Sequence, residues 1–153
     1  MIRRSVILTT AAVVSAVGLA TVVALPAAAD WYEDRHQETD TYATGAEAKS
    51  ARASVPRWLE DEATSVRYAL RTTGGDRLLK ATLPDDRLPT ACTTEPRPKA
   101  QEVPLTQDWF PADARGKATA RCGLYYAYMD GTTLYAWQHN DDWLRAERAE
   151  PAR

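Results

Sequence analysis

The sequence predicts a small α+β, mostly β domain: two β-hairpins, a proline-rich connection, one disulfide and short helices, behind an N-terminal hydrophobic leader or anchor helix. Three observations carry this. Two apolar, aromatic runs flank Asp130-Gly131 within Arg121 to Gln138, the strongest short-range hairpin signal. A second alternating pair, Ser65 to Thr72 and Arg77 to Leu83, brackets Gly74-Gly75-Asp76. The chain of 153 residues has room for one domain, and its five Trp and seven Tyr supply material for a packed core.

The chain opens with Arg3-Arg4, an uncharged stretch from Ser5 to Leu25, then Pro26 and Ala27-Ala28-Ala29. A positive start, an apolar middle and a small-residue site describe a secretory signal peptide. The middle also approaches the ~20 residues that cross a bilayer as a helix. Both readings, a cleaved signal peptide and an uncleaved membrane anchor over residues 1–29, place the rest of the chain outside the cytoplasm. Abundant Ala and an excess of Arg over Lys suggest a high-GC bacterial source. Without Arg3 and Arg4 the chain carries 17 basic against 21 acidic groups, a net charge of −4. That balance lacks the basic footprint of a nucleic-acid binder.

Residues 30–54 read as a polar linker with a short helix over AEAKSARA, Ala46 to Ala53, ended by Pro56. Glu33, Asp34, His36 and Glu38 crowd together, but their spacing fits no helical metal-ligand pair, so a solvated stalk or helix is expected. The extracytoplasmic domain is expected over 55–150. Val55 to Leu59 anchors it, and the first hairpin follows. In its first strand Val66, Tyr68 and Leu70 face one way, and Arg67, Ala69 and Arg71 the other. Arg67 and Arg71 are candidates to grip an anion. Leu79, Ala81 and Leu83 share one face of the return strand.

Six prolines between Pro84 and Pro111 leave little regular structure in the connection. Trp109 and Phe110 are expected to plug the core from within it. Cys92 and Cys122 are the only cysteines. In an exported segment without a C-x-x-C pair they predict a disulfide rather than a zinc site.

In the second hairpin, a two-residue Asp130-Gly131 turn would pair Ala127 with Leu134, Tyr126 with Tyr135 and Leu124 with Trp137. Cys122, Leu124, Tyr126, Tyr128, Thr133, Tyr135, Trp137 and His139 would then share one face. If other elements leave that face uncovered, Tyr126, Tyr128 and Tyr135 form a binding surface. Beyond it, Asn140 or Asp141 caps a short helix that Trp143 and Leu144 dock and Pro151 stops. His139 beside Asp141 is the most enzyme-like spot, since a carboxylate-held His can act as a general base.

The parts list excludes several chemistries. Ser50, Ser54 and Ser65, the serines after the leader, lie in no G-x-S-x-G, and P-loop, dinucleotide and H-E-x-x-H motifs are absent. No cofactor is implied. Pro56-Arg57-Trp58, Ala63-Thr64-Ser65-Val66-Arg67-Tyr68, Arg71-Thr72-Thr73-Gly74, Cys92, Asp108-Trp109-Phe110-Pro111, Cys122 and Tyr135-Ala136-Trp137 together resemble a group of uncharacterised small exported or membrane-anchored proteins of high-GC bacteria. The resemblance implies an N-terminal membrane segment and an extracytoplasmic domain, and it carries no catalytic residue. Two functions are expected from the sequence. One is a non-enzymatic interaction module that meets an envelope protein or cell-wall component, and the membrane if its leader is uncleaved. The other is a small secreted hydrolase using His139.

Overall fold

The structure, a computed structural model, describes residues 31–32, 35–95 and 99–150. The leader expected over residues 1–29 lies outside them, and among the described residues no helix is long and apolar enough to cross a membrane. The chain divides into two units, at 1–36 and 37–153. Of the first, Trp31 and Tyr32 are exposed; Arg35 lies 4.3 Å from the Trp31 ring and Tyr32 packs on His36.

The second unit is one antiparallel sheet of seven strands. In chain order they are β1 (Gln37–Thr44), β2 (Thr64–Arg71), β3 (Arg77–Thr82), β4 (Cys92–Thr94), β5 (Ala120–Cys122), β6 (Tyr125–Asp130) and β7 (Thr133–Gln138). They stand side by side as β1-β2-β3-β7-β6-β5-β4. Among the described residues of this unit, two helices interrupt the strands, α1 (Gly45–Ala51) and the single turn α2 (Ala114–Lys117), and α3 (Asn140–Ala149) follows the last.

The first hairpin has the expected faces. Val66, Tyr68, Leu70, Leu79, Ala81 and Leu83 are buried in one core cluster. Ala69 and Leu78 are buried in a second cluster on the reverse face. A bulge near Ser65, whose φ is +49°, slips the β2–β3 register between Thr64 and Arg67; such bulges accompany a local bend in the strand.

The second hairpin departs from the sequence expectation in register. The observed pairs are Asp130 with Thr133, Tyr128 with Tyr135, Ala127 with Ala136 and Tyr126 with Trp137. The loop is therefore Gly131-Thr132, two residues on in pairing from an Asp130-Gly131 turn. A type I′ turn centred on Asp130-Gly131 would force positive φ on Asp130 as well as on Gly131. In the observed loop only Gly131 takes it, at +59°, as type II′ turns with glycine first require. Because the slip is an even number of residues, Tyr126, Tyr128, Tyr135 and Trp137 still share a face.

Cys122 and Leu124 do not join them. Gly123, at φ +60°, makes a separate tight turn with Leu124 and divides the expected strand into β5 and β6. Cys122 therefore pairs with Tyr125 and faces the opposite core.

The polar stretch expected to be a stalk contains β1, which pairs with β2 along its length. Its polarity suits an edge strand: Glu38 and Asp40 both pair with Arg52, at 2.8 and 2.7 Å. At its end Thr44 caps α1, Oγ1 accepting from Glu47 N at 3.1 Å, while Glu47 reaches back to Ala43 N at 2.9 Å. This is a variant of the capping box in which Glu47 accepts from the residue before the cap rather than from the cap itself. Helix α1 ends at Ala51, before Pro56 exerts any effect.

One sheet face is covered by α1 and the segment around Val55, Leu59 and Ala63. The other is partly covered by the connection, through Ala100, Leu105, Phe110, Ala114 and Ala118. Phe110 stands edge-on to Tyr135 and Trp137, and Trp137 Nε1 donates to the Gln101 carbonyl at 3.1 Å. The connection is thus irregular in backbone yet tied to the sheet.

Cys92 and Cys122 form a disulfide between directly opposed residues of β4 and β5, 30 positions apart. Closing a loop of that size stabilises the fold by about 3–4 kcal/mol in the chain-entropy model. Replacing both cysteines with Ala is expected to lower unfolding stability by about 2–4 kcal/mol, read as a lower urea midpoint, with a steeper slope because the chain without its cross-link unfolds to a more expanded state. An unchanged midpoint would show that pairing of the three-residue β4 suffices without the bond.

Candidate functional site

The site is built from the reverse face of the sheet, where residues directly opposite one another form transverse rows. One row runs Thr39, Ala69, Leu78, Trp137, Tyr126 and Arg121. Its centre is fully buried beneath the connection. The next row runs Thr41, Arg67, Lys80, Tyr135 and Tyr128. Cover fails partway along it. Tyr128 is only 4% exposed, whereas Tyr135 and Lys80 are half-buried and Arg67 and Thr41 are exposed.

Three tyrosines were candidates for a binding surface. Tyr126 is buried, with its ring tilted against Trp137 and the Arg121 guanidinium 3.9 Å above it. Its hydroxyl donates to Asp142 Oδ2 at 2.7 Å. Tyr128 and Tyr135 stack at 5.1 Å, and the outer ends of the pair carry Lys117 over Tyr128 and Lys80 over Tyr135. Of the three, Tyr135 is the one at the surface. The Tyr128 hydroxyl is buried and has no hydrogen-bond partner among the described residues. Tyr128 also lines an open concavity of about 510 Å³ with Lys117, Thr119, Met129 and Asp130.

Asp142 is the polar residue that the sequence did not single out. It is 8% exposed, accepts from Tyr126, pairs with Arg145 in the next turn of α3, and has Arg121 3.8 Å away. This buried carboxylate docks α3, in place of the expected Leu144, which is 36% exposed. Trp143 contributes by lying against Gly75, where a Cβ would stand 2.3 Å from its own.

His139 and Asp141 do come together, as a helix cap. His139 is the N-cap of α3, and its Nδ1 accepts from Asp141 N at 3.1 Å, with Asp141 Oδ2 3.8 Å away. The nitrogen nearest the carboxylate is therefore engaged by the helix backbone. The neighbouring concavity, of about 360 Å³, is lined by residues that include Arg57, Arg77, Tyr125, Gln138 and Trp143, with His139 outside it. Glu38 of the N-terminal acidic group pairs with Arg52, while Glu33 and Asp34 lie outside the described residues. Among the described residues no group of three or more His, Cys, Asp and Glu side chains is placed to hold a metal.

The candidate anion grips separate. Arg71 Nε lies 3.2 Å from Asp76 Oδ2, so that guanidinium serves the turn. Arg67 has no ion-pair partner among the described residues, and its direct neighbour across the ladder is a second cation, Lys80. Like charges placed directly opposite on a sheet are destabilising by a few tenths to about 1 kcal/mol. Lys80 was missed because its significance depends on register: alternation within β3 says it points outward, but only the pairing sets it beside Arg67.

Burial raises the pKa of three phenols, Tyr125, Tyr126 and Tyr128. Hydrogen bonding reinforces it for Tyr125 through Tyr68 and for Tyr126 through Asp142. Nearby Tyr135, Asp113 and Asp130 reinforce it for Tyr128. No family model, curated protein or solved structure matches the chain.

Two outcomes are expected. Tyr126→Phe removes a buried bond to a carboxylate and should cost about 1–3 kcal/mol, whereas Tyr128→Phe deletes an unpartnered hydroxyl and should be neutral or stabilising by about 1 kcal/mol; urea unfolding of the two variants checks this. The raised phenol pKa values make the folded state bind more protons than the unfolded one above about pH 10. Stability should thus be fully present below that pH and fall as pH rises through the folded values. Part of the phenolate absorbance, that of these three tyrosines, should then appear only together with loss of far-UV circular dichroism. Ionisation of all tyrosines at the ordinary value, before unfolding, would contradict it.

Proposed function

We propose that the chain is a non-enzymatic interaction module of the bacterial cell envelope, exported by its leader and either released or held in the cytoplasmic membrane. The observation that carries this reading is the uncovered part of the reverse sheet face. There the sheet presents Thr41, Arg67, Lys80 and Tyr135, while the opposite face carries the larger core cluster. A surface that keeps two opposed cations at a cost in stability suits contact with something outside the chain. The Cys92–Cys122 disulfide fits an oxidising compartment. The geometry favours binding over hydrolysis, because His139 already caps α3 through its Nδ1 and stands outside the neighbouring concavity.

The test is fractionation of cells expressing the full chain, with thiols alkylated on lysis and the N-terminus read by mass spectrometry. The expected result is an oxidised disulfide, recovery outside the cytoplasm, and saturable retention on washed envelopes. A mature N-terminus at Asp30 means release; Met1 or Ile2 means an anchor. Recovery in the cytoplasm with both thiols reduced, or no retention on envelopes, would overturn the reading.

A further inference from the structure

The row Thr41–Arg67–Lys80–Tyr135 has more chemical character than an arbitrary exposed strand face. Adjacent strands stand about 4.8 Å apart, so two cations paired directly across a ladder can engage one anionic group together. Arg67 is exposed, and among the described residues neither it nor Lys80 has an acidic partner. Lys80 is further held over the Tyr135 ring, its Nζ 5.5 Å from the centroid, which keeps the ammonium on this face. Hydroxyls flank the pair: Thr41 lies beside Arg67 in the row, and Thr82 and Thr133 are paired in the row that follows.

We infer that this face docks an acidic polysaccharide, with one anionic substituent seated between Arg67 and Lys80, neighbouring sugar hydroxyls on the threonines and a sugar ring against Tyr135. The inference rests on the reading of the chain as an envelope-binding module and names its ligand. Charge complementarity selects an anion. The threonines and one partly exposed ring suit a hydroxyl-rich ligand with a modest apolar face. A membrane surface fits less well, since Trp31, Tyr32 and Leu144 are the large apolar residues most exposed among the described ones and none belongs to this row. Nucleic acid fits less well still, because the chain is acidic overall and the row holds only two cations.

The experiment measures binding of the full chain to polygalacturonate, with dextran, polyphosphate and phosphatidylglycerol vesicles as the other arms. Polygalacturonate is expected to bind, more weakly as salt rises, and dextran is not. Arg67→Glu and the double variant Arg67→Glu/Lys80→Glu should each lose at least tenfold in affinity. Arg87→Glu, the same charge change at an exposed loop residue paired with Asp85, should bind as the unaltered chain does. Arg67→Glu alone should also raise the melting temperature, because it turns a like-charge pair into an opposite-charge pair, so lost binding cannot be put down to misfolding. Equal binding by the double variant would overturn the site. Equal or tighter binding to polyphosphate, or vesicle binding that the double variant loses, would overturn the ligand class; vesicle binding that the double variant keeps belongs to the apolar leader and not to this face. Failure to bind polygalacturonate by a chain still retained on envelopes would overturn this inference and leave the envelope reading standing.

Discussion

The pairing of β3 with β7 is the contact on which the rest of the unit depends. It runs without a break from Arg77 opposite Gln138 to Thr82 opposite Thr133. Without it the chain holds two separate hairpin systems, each too small to bury both of its faces. With it, Leu79 and Ala81 continue into Leu134 and Ala136 on one side, and Leu78 continues into Trp137 on the other. The two core clusters are therefore the two sides of one seam. Polar contacts reinforce it at one end: Gln138 Nε2 donates to the Gly75 carbonyl at 2.7 Å, and Asn140 Oδ1 accepts from Gly75 N at 2.8 Å. The turn between β2 and β3 is thereby bound to the start of α3.

A seven-stranded antiparallel sheet also has two free edges, which invite pairing with other chains. The two edges here are blunted differently. Strand β1 is long but carries Glu38 and Asp40, both held by Arg52 from beyond α1. Strand β4 is three residues long and fastened through Cys92 to Cys122. The disulfide so reinforces the weakest-paired strand of the sheet, at the end of a connection whose prolines prevent it from forming a ladder of its own.

Local alternation and turn chemistry were legible in the residues; pairings between distant segments were not. The faces of Val66, Tyr68 and Leu70 follow from period-two patterning alone. The Cys92–Cys122 bond follows from the compartment expected of the sequence and from the cysteine count. The second hairpin was legible as an element but not in register, because Asp130-Gly131 fits two turn types that differ in which residue takes positive φ. Strand β1 was hidden because an edge strand with little apolar content looks like a linker until its partner is known. The burial of Asp142 and the capping role of His139 were hidden for a related reason. Which carboxylate is buried beneath α3 is decided by Tyr126 and Arg121, and Asn140, an expected cap, is instead engaged by Gly75 and Asp76, all on segments that lie elsewhere in the sequence. The pairing of Lys80 with Arg67 belongs to the same class, since it exists only in the register between strands.

The asymmetry of the two sheet faces follows from one physical fact about the connection. Residues 99–118 are long enough to cover β6, β7 and the near ends of β2 and β3, and Phe110 sets the limit of that cover by standing against Tyr135 and Trp137. Up to that limit, apolar burial stabilises the unit. Beyond it, hydrophobic residues on β1, β2 and β3 would be left in water, and the sequence there is Thr, Arg and Lys instead. Polar residues at an uncovered face need no explanation beyond solubility, but their arrangement does. Interspersed charges of both signs would serve solubility while adding cross-strand attraction. A row that sets Arg67 directly against Lys80 forgoes that attraction. Among the described residues, this pair on the open face sets charge against strand pairing, and such conflicts concentrate where a protein meets its ligand.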